Sequence, residues 1–380
     1  RGLGDVYKRQ MLEASPVIAG RDDPLNQLPA RLDEGLVYLE KYWQAEHDVA
    51  RDLAALAADP PSQGPVFADD VVSGVRDALE ASGTPLDPAQ ADAAVAAVTH
   101  RISVLAGGPG TGKTTTVCAL LAALQQADPH LGAVALAAPS GKAAARLRDS
   151  VSQVSKRMPD DLKPIVADAT TVHSLLKWQG PGTSFGYDEQ HKLPFGVVVV
   201  DEASMLSLPL AASLLSAIGP GTRLILVGDP GQLVSVDAGS VLADIVSSAD
   251  ALHTRLPVTI LTRNHRSGGD IAQLSEAVRE GDKSTALDVL ATAAEVTHGS
   301  PSLDGLVRDS DHRSITWIDA DPASITMADL PAVAEVIART GARMLELALA
   351  GDDAATLKLA DDHRLLCAHR ELSLIHISEP

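Results

Sequence analysis

Apolar residues recur at helical spacing over 31–58, where Leu36, Leu39, Trp43, Val49, Leu53 and Leu56 predict one buried stripe. Asp59-Pro60-Pro61 stops this helix, because proline cannot continue it. A shorter helical pattern spans about 68–81 and ends at Ser82-Gly83. From residue 86 the pattern changes. Short apolar runs at 102–106, 133–138, 197–200, 224–227 and 258–261 alternate with helical stretches. Nearly continuous apolar strands separated by helices predict a parallel sheet covered on both faces. The Gly- and Pro-rich segment 178–196, "WQGPGTSFGYDEQHKLPFG", predicts a loop. Beyond 283 the periodicity weakens. A helix is expected over 331–349, on Val333, Val336, Ile337, Met344, Leu345 and Leu347, and a last buried strand in "HRLLCAH" (363–369). Tyr38, Tyr42 and Trp43 sit at helical spacing and read more readily as core than as an interface patch.

Composition narrows the partners. A chain of 380 residues has room for roughly two or three domains. Lys and Arg total 31 against 50 Asp and Glu, so the formal net charge is −19. Such a chain grips nucleic acid poorly by itself, since phosphate contacts need cations. Contact with DNA would have to come from a local basic strip or from a partner. Cys118 and Cys367 are too few for a disulfide framework or a metal cluster, and both read as reduced thiols of a cytoplasmic protein. No apolar run approaches the ~20 residues that span a bilayer, and no signal peptide is read before Met11. The ends "RGLGDVYKRQ" (1–10) and "SLIHISEP" (373–380) differ from their surroundings and resemble translated adaptor sequence. Both are set aside as non-native tails, and native sequence is expected to continue past Glu371.

The chemistry starts at "AGGPGTGKTTTV" (106–117). Gly107, Gly112, Lys113 and Thr114 fit G-x-x-x-x-G-K-[ST] between a strand and a helix. Backbone N–H groups of Gly107, Gly108, Pro109–Thr111 and Gly112 would close around phosphates as far as each residue has one; Pro109 has none, and the loop's glycine Gly110 gives it room. Lys113 would reach the β/γ-phosphates, with Thr115 beside it, and Thr114 would ligate Mg²⁺. "VVVVDEAS" (197–204) places Asp201 and Glu202 at the C-terminal end of a buried strand, where open α/β sheets bind ligands. Asp201 would hold Mg²⁺, partly through water, and Glu202 would orient the attacking water as general base. In "LILVGDPGQL" (224–233), Gln232 follows a third strand and could sense the γ-phosphate. Gln90 could bond an adenine edge through its carboxamide. "APSGKAAARL" (138–147) carries a helix N-cap, Ser140, and two cations one turn apart, Lys142 and Arg146. In "TTVHSLL" (170–176), Thr171 and His173 could donate to phosphate.

These stretches, with "LTRNHRS" (261–267), occur in one order. The ordered set resembles the RecD family: alpha subunits of exodeoxyribonuclease V, superfamily 1 helicases that move 5′→3′ on single-stranded DNA. The resemblance covers about 30–280, including "YLEKYWQAEHDVA" (38–50), and returns in "RLLCAHRE" (364–371). It implies an α/β P-loop NTPase with a RecA-like parallel sheet. The division it implies is an N-terminal helical, partner-docking domain over 11–85, a first RecA-like lobe over 86–262 and a partial second motor lobe over 263–372. It implies ATP and Mg²⁺ as cofactors, Gln90 on adenine, and Lys113, Asp201, Glu202, Gln232 and Arg266 as catalytic residues. Arg266 would reach the γ-phosphate. Ser140, Lys142, Arg146, Thr171 and His173 fall in stretches assigned to DNA contact. Partners would be single-stranded DNA and RecB-like and RecC-like subunits of a helicase–nuclease that processes double-strand breaks, with no membrane. The family's later motor motifs are not found after residue 280, so ATP binding with little hydrolysis and no unwinding is expected. A stand-alone RecD-like helicase, another P-loop ATPase (AAA+ or kinase) and an inert interaction module are the alternatives.

Overall fold

The computed structural model describes residues 10–25, 28–59, 61, 65–180, 184–232, 235, 237–252, 256–263, 269–297, 315–318 and 331–362. The chain divides into two compact units, residues 1–266 and 267–380.

The first unit opens on a small sheet, β1 (Ile18–Gly20), β2 (Ala30–Asp33) and β3 (Leu36–Leu39), in that order. The helical reading of 31–39 is therefore corrected: helix α1 spans Glu40–Ala58. β2 and β3 pair antiparallel with Asp33 opposite Leu36, leaving Glu34 and Gly35 as a two-residue turn. Both have positive φ, 48° and 84°, as the hairpin turn matching strand twist requires. Leu36 and Leu39 are strand residues, and their apparent helical spacing to Trp43 was coincidental.

Arg31, fully buried, fixes this sheet to α1. Its guanidinium donates to both carboxylate oxygens of Glu40 at 2.7 Å and to the carbonyls of Gly20, Arg21, Asp23 and Pro24. It also lies 4.4 Å over the Trp43 ring, whose indole N–H donates to Asp33 at 2.9 Å. Paired and hydrogen-bonded in this way, a buried charge is tolerated. Trp43 is core, as expected, whereas Tyr38 and Tyr42 are partly exposed.

Two more helices, α2 (Pro65–Ala81) and α3 (Pro88–Thr99), lead into the main sheet. Its strands are β4 (Ile102–Gly107), β5 (Val134–Ala138), β6 (Thr170–Thr171), β7 (Val197–Val200), β8 (Arg223–Gly228) and β9 (Val258–Leu261). All pairings are parallel and the order is β6-β5-β7-β8-β4-β9. Strands β4, β5, β7 and β8 are buried throughout, which is why they read as unbroken apolar runs. One face packs on α2, α3, α4 (Lys113–Ala127) and α5 (Gly141–Ser155) through Val72, Leu79, Val98, Leu120 and Leu147. The other face packs on α1, the short helix α6 (Val172–Leu175), α7 (Leu208–Ala217) and α8 (Val241–Leu252), through Val49, Leu56, Leu175, Leu214 and Leu242. The helices before residue 85 thus share their cores with the sheet.

The second unit contains α9 (Asp270–Glu280), α10 (Lys283–Ala293), a parallel pair β10 (Ala294–Thr297) and β11 (Ile315–Ile318), then α11 (Pro331–Leu349) and α12 (Asp353–Asp362). The helix expected over 331–349 is α11. The strand expected over 363–369, with Cys367, lies outside the described residues. No helix among the described residues is long and apolar enough to cross a membrane.

Candidate nucleotide site

The loop between β4 and α4 wraps the helix N-terminus. Gly112 occupies the left-handed region (φ 85°, ψ 19°) as the N-cap of α4, a conformation that penalises any Cβ. Gly107 lies opposite Leu261 in the β4–β9 register. A Cβ there would meet Thr111 Oγ1 at 2.7 Å and both Leu261 Cβ and Leu261 O at 3.0 Å. The Thr111 hydroxyl donates to Gly108 O at 2.8 Å, tightening the turn, while Pro109 stands exposed. Lys113 Nζ folds back over the loop and donates to Gly107 O at 2.7 Å and Gly108 O at 3.0 Å. The ammonium therefore already sits over the hollow of the loop. Thr114 and Thr115, in the first turn of α4, are partly exposed, and Thr116 turns inward to donate to Gly112 O.

Asp201 and Glu202 leave the end of β7. Strand β8 runs between β7 and β4: Val200 pairs with Leu226, and Ala106 with Gly228. The three strand ends therefore open on one rim of the sheet. Partial burial pushes the Asp201 carboxyl above its ordinary range. The amide of Glu202 donates to Asp201 Oδ1 at 2.9 Å and the charge of Lys113 pulls the other way, which marks Lys113 and Asp201 as electrostatic neighbours. Glu202 adopts a left-handed backbone (φ 53°, ψ 38°), costly for a residue with a Cβ. That turn aims its side chain differently from a continued strand.

Asp229 follows β8, is buried, and accepts from the Gly231 amide at 3.0 Å. Gln232 closes the same turn through its amide to Asp229 O at 3.1 Å, and its side chain is exposed. Arg266 lies outside the described residues.

Gln90 has a role that the sequence reading missed. With Asp87 it forms a capping box at the start of α3: Asp87 N–H donates to Gln90 Oε1 at 3.0 Å, and Gln90 N–H to Asp87 Oδ1 at 2.9 Å. The buried carboxamide oxygen is thereby held by its own helix. The signal was present as Asp-Pro-x-Gln before a helical run.

The remaining candidates emerge where β5 and β6 end side by side, Ala138 opposite Thr171. Ser140 caps α5, accepting from Ala143 N–H at 3.2 Å, as expected of an N-cap. Lys142 and Arg146 are both exposed on α5. Thr171 caps α6: its hydroxyl oxygen accepts from Ser174 N–H at 3.1 Å, and the hydroxyl pairs with Ser174 Oγ at 2.9 Å. His173 is half-buried in the first turn of α6.

No group of three or more His, Cys, Asp or Glu side chains able to hold a metal occurs among the described residues. An all-oxygen pair, the Thr114 hydroxyl and the Asp201 carboxylate, suits Mg²⁺, which takes one or two protein ligands beside phosphate and water.

A comparison with protein families matches residues 85–301 to the AAA domain. The RecBCD enzyme subunit RecD of Mycobacterium tuberculosis is 40% identical over 366 residues, covering 95% of this chain and 56% of that protein. The corresponding subunit of Mycolicibacterium smegmatis is 39% identical over 368 residues, 94% of this chain and 58% of its own. The ATP-dependent RecD2 DNA helicase of Deinococcus radiodurans is 34% identical over 223 residues, 59% of this chain and 28% of its own. The chain thus spans a little over half the length of the two mycobacterial relatives. With the AAA match covering more than half of the chain, this chain belongs to the AAA domain family, and it is similar to RecD subunits over nearly its whole length.

Proposed function

We propose that this chain is the nucleotide-binding motor portion of an ATP-dependent DNA helicase, acting as the RecD-like subunit of a helicase–nuclease. The observation that carries the proposal is the convergence of the Lys113 loop, Asp201–Glu202 and the Asp229–Gln232 turn on one sheet rim.

In this reading the loop amides and Lys113 bind the triphosphate, Lys113 exchanging its contacts with Gly107 O and Gly108 O for β/γ-phosphate oxygens. Thr114 and Asp201 would hold Mg²⁺, which supplies charge neutralisation on the phosphates when bound. Asp201 enters this role ready-made, because a carboxylate disfavoured by burial gains most from a cation. Glu202 orients and polarises the attacking water, and Gln232 reads the γ-phosphate position. Lys142, Arg146, Thr171 and His173 contact a single strand where β5 and β6 end. The RecB-like and RecC-like partners would supply most of the duplex grip, in keeping with the net charge of −19. A stand-alone helicase is the second reading, favoured by the RecD2 likeness over 59% of this chain. Co-purification with the other two subunits separates the two.

The test is a nucleotide titration on the full chain and on Lys113→Ala. A charge-assisted hydrogen bond contributes about 1.5–3 kcal/mol, so ATP affinity should fall about 10- to 150-fold. Unchanged affinity in Lys113→Ala would end this reading. Binding is the primary readout, and stimulation of any turnover by single-stranded DNA the second.

A further inference from the structure

The loop that leaves α6 carries a feature that the nucleotide site does not use. Its base is pinned: Gly186 N–H and Tyr187 N–H both donate to Leu176 O, at 2.9 and 3.2 Å. The two arms touch so closely that a Cβ on Gly186 would meet Lys177 Cβ at 2.9 Å. Lys177 takes a left-handed backbone (φ 56°), and Trp178 N–H donates back to His173 O at 2.9 Å. This turn throws Trp178 outward. Phe185 and Tyr187 from the returning arm pack onto the core under the sheet, but Trp178 stays 45% exposed. The ring is nonetheless braced. The His173 imidazole meets it edge-on at 5.3 Å and 66°, and Phe185 supports His173 at 6.2 Å.

The residue before Trp178 is a cation, Lys177, while Asp188 and Glu189 follow Tyr187 on the returning arm. Lys177 Nζ lies 4.7 Å over the Tyr187 ring, and Lys142 and Arg146 are exposed on the helix that leaves the neighbouring strand end. An aromatic-poor chain, 3% Phe, Trp and Tyr, thus holds a tryptophan face open next to Lys177, on a loop whose base is pinned. Cations that track a backbone plus an aromatic face that accepts any base are the recognition elements of single-stranded nucleic acid. A braced ring also avoids the ordering cost of binding.

We infer that Trp178 is a base-stacking platform for single-stranded DNA, with His173 and Phe185 as its braces and Lys177, Lys142 and Arg146 flanking the strand. The inference rests on the proposed DNA-binding function and adds to it a sequence-tolerant contact with a base rather than with phosphate.

The experiment compares binding of oligo(dT) of about twenty nucleotides with an abasic oligodeoxynucleotide of equal length and charge, on the full chain. Stacking on one aromatic side chain should make oligo(dT) tighter by about 5- to 150-fold and quench tryptophan emission. Trp178→Phe should keep most of that preference. Trp178→Ala and Trp178→Leu should bind the two oligonucleotides equally, with the loss residing in the preference and not in the salt dependence. Melting temperatures report whether each variant folds; should Trp178→Ala not fold, the abasic comparison on the unaltered chain and Trp178→Phe still decide. Equal binding of the two oligonucleotides by the unaltered chain would overturn the stacking inference and leave the helicase reading standing. No binding of oligo(dT) at all would overturn both.

Discussion

Gly107 and Gly108 are neighbours in the same phosphate loop, and the structure assigns them opposite tolerances. A Cβ on Gly107 would sit 3.0 Å from both Leu261 O and Leu261 Cβ, on a strand hydrogen-bonded to β4, and 2.7 Å from Thr111 Oγ1. The Thr111 hydroxyl can swing away only by giving up its bond to Gly108 O. Leu261 cannot withdraw without parting β9 from β4. A Cβ on Gly108 meets nothing within 4 Å. Overpacking of this kind costs about 1–3 kcal/mol. In a unit of this size each kcal/mol lowers the melting temperature by about 2–4 °C, so Gly107→Ala should melt about 2–12 °C lower. Gly108→Ala should melt within about 2 °C of the unaltered chain, as for a change that meets no neighbour. ATP affinity should follow the same order, since displacing β4 from β9 moves the loop amides that face the phosphates. Thermal melts and a fluorescent-nucleotide titration on the two variants provide the check. A Gly107→Ala chain with unaltered melting and affinity, or a Gly108→Ala chain as damaged as Gly107→Ala, would refute the close-approach argument.

Three other outcomes are expected. Asp201 has a raised carboxyl pKa in the folded chain, so its stabilising contribution is complete below the unfolded value of about 3.9 and is lost as pH rises through the raised value. Asp201→Asn should therefore gain in melting temperature relative to the unaltered chain as pH goes from about 4 to 7, while losing the extra stabilisation that Mg²⁺-ATP gives; melts with and without ligand at both pH values read this. The double change Lys142→Ala and Arg146→Ala should flatten the dependence of log affinity for oligo(dT) on log salt by about 0.7 for each phosphate left unneutralised, and an unchanged slope would remove both residues from the strand path. Cys118 is fully buried on α4, and burial pushes its thiol up to about 12. It should resist alkylation at pH 8 until the unit unfolds, as read by site-resolved mass spectrometry.

The strands and the phosphate loop were legible because each has a one-dimensional cause. Four consecutive β-branched valines favour a strand buried on both faces, and G-x-x-x-x-G-K-T fixes residue types at fixed spacing. The start of the first helix was not legible, because Leu36 and Leu39, three residues apart, fit a 3.6-residue repeat although both lie on strand β3; Glu34-Gly35 was the signal that marks the turn. The capping box of Gln90 was legible but was overshadowed by a functional reading of the same side chain. The buried pair of Arg31 and Glu40 could not be read, since it joins two elements whose meeting depends on that unread turn. The placing of β8 between β4 and β7 was likewise invisible, because strand order is set by crossover connections and not by any local pattern.

That strand order bears on how nucleotide state could travel. Gly228, at the end of β8, is packed so that a Cβ would meet Leu242 Cδ2 at 2.6 Å and the amides of Ala203 and Ser204 at 3.2 Å. Those amides belong to the turn that directly follows Asp201 and Glu202. The strand end that leads into the Gln232 turn therefore packs directly against the turn that follows Glu202. In that turn the Ser204 hydroxyl is buried with no hydrogen-bond partner among the described residues. The arrangement thus packs the turn of Gln232, proposed to read the γ-phosphate, against the turn of Glu202, proposed to orient the attacking water.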